Sequence, residues 1–210
     1  MGEQEIRKPY TEDENELFTH AKYVRETLDK YGFSDTESHL NEWNIGLEGA
    51  SFPKKHTMES GAFLAAVLCE LQNTNYVDKA MYYCFSRRSL YNGFIDQNDE
   101  TVSSSWYPFK AFGELYKLKN SAHTQVVGNI YATAATGDST KAILISNYNS
   151  AEEETSVEVN NLCGKYTASV FYCTEEKHLA KEVSFDVLNE TKIEILLPKQ
   201  TVVLIKFEEK

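Results

Sequence analysis

The 210 residues leave room for one compact domain or two small ones, and 41% hydrophobic and 12% aromatic content is enough for a packed core. Thirty-two acids stand against 21 bases, a net charge of −11 with no basic stripe, which argues against nucleic acid as a partner. The four cysteines (Cys69, Cys84, Cys163, Cys173) show no C-x-x-C spacing and the five histidines show no metal-ligand spacing, so neither a metal nor a cofactor is expected. The first ten residues are polar and no run reaches the length of a membrane span. Without a leader or a span, the cytoplasm is the default expectation.

The chain changes texture near residue 120. Before it, helix and strand alternate. Thr11 and Glu14 read as a capping box, and Leu17, Ala21, Val24, Leu28 and Tyr31 recur at helical spacing until Gly32. A strand is expected at about 37–43, carrying Glu42 near its end. A loop with Gly46, Gly49 and Pro53 follows, and then a helix at about 58–72 with Thr57 as N-cap. That helix is apolar on nearly every side, so more than one neighbour must bury it. A second strand (79–86), a long loop with the Asn92-Gly93 turn and a third helix from about Tyr107 to Leu118, with Pro108 in its first turn, complete this part.

Beyond residue 120, seven strands are expected at 125–135, 141–148, 154–160, 166–173, 181–187, 191–197 and 201–208. Val157-Glu158-Val159 and Val183-Ser184-Phe185-Asp186-Val187 alternate as half-buried strands do, and turn signals separate the runs. Seven short strands at this spacing predict an antiparallel sandwich. Cys69 and Cys84 lie in apolar runs and read as buried thiols. Pairing of Cys163 with Cys173 stays open.

Candidate functional residues cluster around Glu42. An ionisable group at the carboxyl end of a strand, where helices and strands alternate, occupies the position at which barrel enzymes keep their chemistry. Trp43 fits either a core aromatic or a sugar-stacking ring, and Asn44 either a loop cap or a ligand contact. His39 lies out of phase with Glu42 on a regular strand and reads as a packing histidine. Arg87 and Arg88 are solvated loop charges or cationic stabilisers of the site. Trp106 lines a cleft or covers the start of the last helix.

Residues Asn41-Glu42-Trp43-Asn44, Tyr82-Tyr83-Cys84-Phe85-Ser86, Asn92-Gly93-Phe94-Ile95-Asp96 and Pro108-Phe109-Lys110-Ala111-Phe112 follow one another in an order that resembles a known family. The chain is similar to the C-terminal portion of a retaining glycoside hydrolase of the (β/α)8 superfamily, most like the family 39 β-xylosidase group, with arabinofuranosidase-type enzymes close behind. The resemblance implies an α/β plus all-β fold: the last βα units of a TIM-type barrel in residues 1–119, then an antiparallel β-sandwich in 120–210. It implies that Glu42 is the catalytic nucleophile and that Tyr83 is the aromatic platform, where Trp is common. Trp43, Asn44, Arg87 and Trp106 complete a substrate-binding set for a xyloside- or arabinoside-like carbohydrate.

A retaining glycosidase needs two carboxyls about 5–5.5 Å apart, one to attack the anomeric carbon and one to protonate the leaving oxygen. In the resembled family the second comes from an Asn-Glu-Pro motif on a strand outside the matched portion. Asn15-Glu16 and Asn189-Glu190 are not followed by Pro and do not supply it. The 210-residue chain is therefore expected to show no turnover. Two or so parallel strands would expose sheet edges, so self-association or a separate chain supplying further strands is expected. Two alternatives stand beside this reading: Glu42 as the acid/base of another barrel enzyme, and the sandwich as a carbohydrate-binding or purely structural module.

Overall fold

The computed structural model describes residues 10–11, 14–45, 56–86, 91–96, 98, 100–151 and 153–210. The first part runs β1 (Tyr10–Thr11), α1 (Glu14–Lys30), β2 (His39–Ile45), α2 (Met58–Asn73), β3 (Lys79–Tyr82) and α3 (Trp106–Tyr116). The strands form one parallel sheet in the order β1-β2-β3. Thr11 pairs with Ile45 in β1 and α1 is described from Glu14 on; the expected capping box falls partly on residues 12–13, outside the described residues. Three parallel strands are therefore present where two were expected.

Helix α1 buries Leu17 and Ala21 but leaves Val24 and Tyr31 exposed, because only the first half of its stripe finds a neighbour. Gly32 ends it with φ +82°, a conformation that glycine adopts without steric cost. Helix α2 is buried along nearly its whole length, as its all-round apolar sequence requires. It packs against β2, α1 and α3 and against the later strands Tyr131–Thr136, Thr140–Asn147 and Thr201–Glu209. Thr57 holds the N-cap position with extended backbone, yet its side chain makes no cap bond.

The second part contains β4 (Asn120–Ala122), β5 (Tyr131–Thr136), β6 (Thr140–Asn147), β7 (Glu154–Val159), β8 (Lys165–Cys173), β9 (His178–Leu188), β10 (Thr191–Leu196) and β11 (Thr201–Glu209). Six of these make an antiparallel sheet in the order β4-β5-β6-β11-β8-β9, and β7 pairs with β10 in a second. The expected strand at 125–135 is replaced by the short β4 and by β5, and the other six expected strands are present.

Helix α2 joins the two parts. Val202, Leu204, Leu144, Ala142, Ala135 and Cys173 share one core with α2, Trp43 and Ile45. The alternate residues Val203, Ile205 and Phe207 share another with Ile193, Ile195 and Leu197 under the small sheet. The large sheet is covered on both faces, which is why β11 reads as a near-continuous apolar run. Polar contacts fix the joint: Ser146 Oγ donates to the Ala62 carbonyl (2.8 Å), and Asn73 donates to the Ala132 carbonyl (2.7 Å) while accepting from Thr133 Oγ1 (2.8 Å). The cysteines are free; Cys69 and Cys173 are buried, Cys84 is half-buried and Cys163 is exposed. No helix among the described residues is long and apolar enough to cross a membrane, and no group of three potential metal ligands occurs among them.

Candidate functional site

The strand carrying Glu42 is irregular at that residue. Leu40 lies opposite Ala80 and Trp43 opposite Tyr82, so three steps along β2 match two along β3. The extra residue makes a bulge at Asn41-Glu42, a device that re-aims side chains. Both Asn41 and Glu42 are exposed, and the next three residues, Trp43, Asn44 and Ile45, are all buried. Strict alternation would have buried every second residue.

The bulge also overturns the phase argument for His39. That side chain is exposed, and its Nε2 lies 2.7 Å from Glu37 Oε2, which also accepts from Lys79 Nζ at 2.7 Å. The Lys79 ammonium first, then His39, hold the Glu37 carboxyl below the usual carboxylate range. This cluster sits at the start of β2 and β3, away from Glu42.

Trp43 is 1% exposed and packs edge-on against Tyr82, with ring centroids 5.1 Å apart. No ring face is open, so the stacking role expected for it is corrected to a core role. Its indole N–H finds no acceptor among the described residues. Asn44 is fully buried and likewise cannot meet a ligand directly. Its amide donates to the Tyr83 carbonyl and to the Asn92 carbonyl (2.8 Å), and its oxygen accepts from the Ile45 N–H (2.7 Å) and the Tyr82 hydroxyl (3.2 Å). Burial pushes the Tyr82 phenol well above its ordinary range.

Strand β3 ends at Tyr82, short of the expected 86, and the Tyr83–Cys84 peptide is cis. Tyr83 stays beside Trp43 through its N–H, which donates to the Trp43 carbonyl at 3.0 Å. Tyr83 is 41% exposed, with its ring edge-on to Tyr91. Phe85 is also exposed and meets Phe94 and Trp106 edge-on. Trp106 is the first residue of α3, half-buried against Phe94 and Phe109, so it covers the start of that helix while showing part of its ring. Arg87, Arg88, Gly46, Gly49 and Pro53 lie outside the described residues.

One group was missed by sequence reasoning. Asn92, taken as a turn residue, is fully buried: its amide donates to the Tyr82 hydroxyl (2.6 Å) and its oxygen accepts from Ser105 Oγ (3.1 Å). Ser103 Oγ lies 2.7 Å from Ser105 Oγ and donates to the Gly93 carbonyl (2.8 Å). The run Ser103-Ser104-Ser105 before an aromatic helix was the available signal.

The fold joins parallel strand–helix units to antiparallel sheets packed against α2. Solved structures share it over nearly the whole chain. A glucosidase from Croceicoccus marinus superposes with TM-score 0.78 at 20% identity, covering 95% of this chain and 51% of that one. The GH39 enzyme from Xanthomonas axonopodis pv. citri gives 0.68 at 12%, covering 92% and 49%. A monomeric β-xylosidase from Caulobacter crescentus gives 0.63 at 14%, covering 94% and 50%. The chain thus spans about half the length of these structures, and the likeness is one of fold. No protein-family model matches the sequence, and no curated protein matches it either.

Proposed function

We propose that the chain is the carboxyl-terminal part of a retaining glycoside hydrolase barrel, with Glu42 as nucleophile and a xyloside- or arabinoside-like substrate. The observation that carries the reading is the bulge in β2 that leaves Glu42 exposed, one residue before Trp43, whose carbonyl accepts from the N–H of the exposed Tyr83. Fold neighbours described as a glucosidase and a β-xylosidase support the same class of bond. In this reading Glu42 attacks the anomeric carbon and Tyr83 receives the sugar face. Arg87 is placed in the same set by its position after β3. Trp43 and Asn44 act from behind by holding the strand ends, and Trp106 stands at the rim.

No Asn-Glu-Pro motif is present, so the 210 residues are expected to lack the proton donor and to turn over no ordinary glycoside. A leaving group that needs no proton separates the two roles. With a 2,4-dinitrophenyl 2-deoxy-2-fluoroxyloside, the Glu42 carboxylate forms an ester bond to the anomeric carbon as the bond to dinitrophenolate breaks. The phenolate leaves with the electron pair. The expected result is a mass gain of one fluoroglycosyl unit on the peptide containing Glu42, absent in Glu42→Gln. An unlabelled wild-type chain, or a label retained in Glu42→Gln, sinks the assignment.

A further inference from the structure

The carboxylate of Glu175, in the β8–β9 turn of the antiparallel part, bonds both the first residue of α2 and the serine run that precedes α3. Glu175 Oε1 accepts from the backbone N–H of Met58, the first residue of α2, where Thr57 makes no side-chain cap. Glu175 Oε2 accepts from Ser104 Oγ at 2.9 Å. Met58 closes the connection that leaves β2 after Glu42, and Ser104 closes the connection that leaves β3. The turn itself is tied: the Thr174 N–H donates to the Lys177 carbonyl (2.8 Å), and Thr174 Oγ1 accepts from the N–H of Glu176 and Lys177. Beside it the His178 and Tyr107 rings stack 4.5 Å apart.

Ser104 is the middle of three serines with divided loyalties. Ser103 and Ser105 face inward and bond Gly93 and Asn92, and Asn92 accepts from the amide of Asn44, two residues past Glu42. A run of hydrogen bonds, broken only by the serine backbone, therefore connects the antiparallel part to the end of β2. Each partner in it except Ser104 and Glu175 is buried. Buried polar groups bonded in this way have one satisfied arrangement, so moving one end shifts the other.

We infer that Glu175 is a positioning residue for the carboxyl end of β2, and that the antiparallel part acts on the Glu42 site by bracing it. The catalytic consequence rests on the glycosidase reading; the positioning does not. Glu175 is exposed, so Glu175→Ala is expected to fold. In that variant, hydrogen exchange at the Ile45 amide, which is bonded to Asn44 Oδ1 at 2.7 Å, should rise by about tenfold, the scale of one lost charge-assisted bond. Glu175→Gln keeps a carbonyl acceptor for Met58 and should restore most of the protection. Labelling of Glu42 by the dinitrophenyl fluoroxyloside should slow in Glu175→Ala by a similar factor and recover in Glu175→Gln. Unchanged exchange at Ile45 in Glu175→Ala overturns the inference, as does Glu175→Gln behaving like Glu175→Ala. A wild-type chain that takes no label sinks the glycosidase reading alone, because the exchange comparison still decides the positioning.

Discussion

Asn44 has two amide protons and two acceptor lone pairs, and at the buried end of β2 all four are used. Asn44→Ala should therefore cost much more than its size: about 2–4 kcal/mol, because buried carbonyls and an N–H lose their partner in a place water does not reach. Urea denaturation of the purified variant measures this, and a cost under about 0.5 kcal/mol would show that the network relaxes around the gap. Thiol accessibility tests burial in the same way. The Cys173 thiol is pushed up to about 12 and the buried Cys69 thiol higher still, both mainly by desolvation, and neither is disulfide-bonded. At pH 8 a maleimide should modify the exposed Cys163 in the native chain and leave Cys69 and Cys173 untouched until denaturant is added. The strand carrying Glu42 was legible in the sequence, but β2 runs on to Ile45, so Glu42 stands at its middle and not near its end as expected. The exposure of His39 was missed because period-two reasoning fails at a bulge, and Trp43 and Asn44 stayed open between two roles because a buried side chain and an exposed one are the same letter.

Gly61 shows why α2 sits where it does. A Cβ there would meet Pro108 Cγ at 3.0 Å and Ser105 Cα at 3.1 Å, so the glycine lets α2 and α3 approach at the serine run. Gly61→Ala should destabilise the chain by about 1–3 kcal/mol through overpacking, although alanine is the better helix former by about 1 kcal/mol. A rise in melting temperature would mean that the helices separate freely. The helices themselves were readable: the all-round apolar run of α2 and the Pro108 start of α3 are local signals with local causes. The strand β1 was not, because its two residues are ordered by pairing with Asn44 and Ile45, which no nearby residue announces. The double burial of β6 and β11 showed in their apolar runs, but which elements cover them is a long-range fact. The Glu175 link joins residues more than a hundred positions apart and leaves no local trace.

The two parts of the chain share a core through α2, and this decides how each would behave alone. Residues 120–210 without α2 would bare the face formed by Ala135, Ala142, Leu144, Val202 and Leu204. That fragment should bind 1-anilinonaphthalene-8-sulfonate and melt over a broad range, and a sharp, dye-free transition would identify the antiparallel part as an independent unit. The intact chain has its own open surface. Among the described residues the outer edge of β3 has no partner strand in its sheet, and Met81, Tyr83 and Phe85 are exposed along the same segment. An open edge beside apolar side chains favours strand-to-strand association, which further parallel strands would cover in a complete barrel. Opposing it, a net charge of −11 makes copies repel one another. Salt screens that repulsion, since the Debye length falls from roughly 10 Å at 0.1 M to about 3 Å at 1 M, while apolar contact is not weakened. The chain should therefore self-associate weakly and reversibly, and more strongly as salt rises. Sedimentation velocity across a protein concentration series at low and high sodium chloride measures the effect. Met81→Lys places a charge on the edge strand and should shift the equilibrium toward monomer at both salts. A concentration-independent monomer at high salt would mean that the β3 edge is already covered within one copy of the chain.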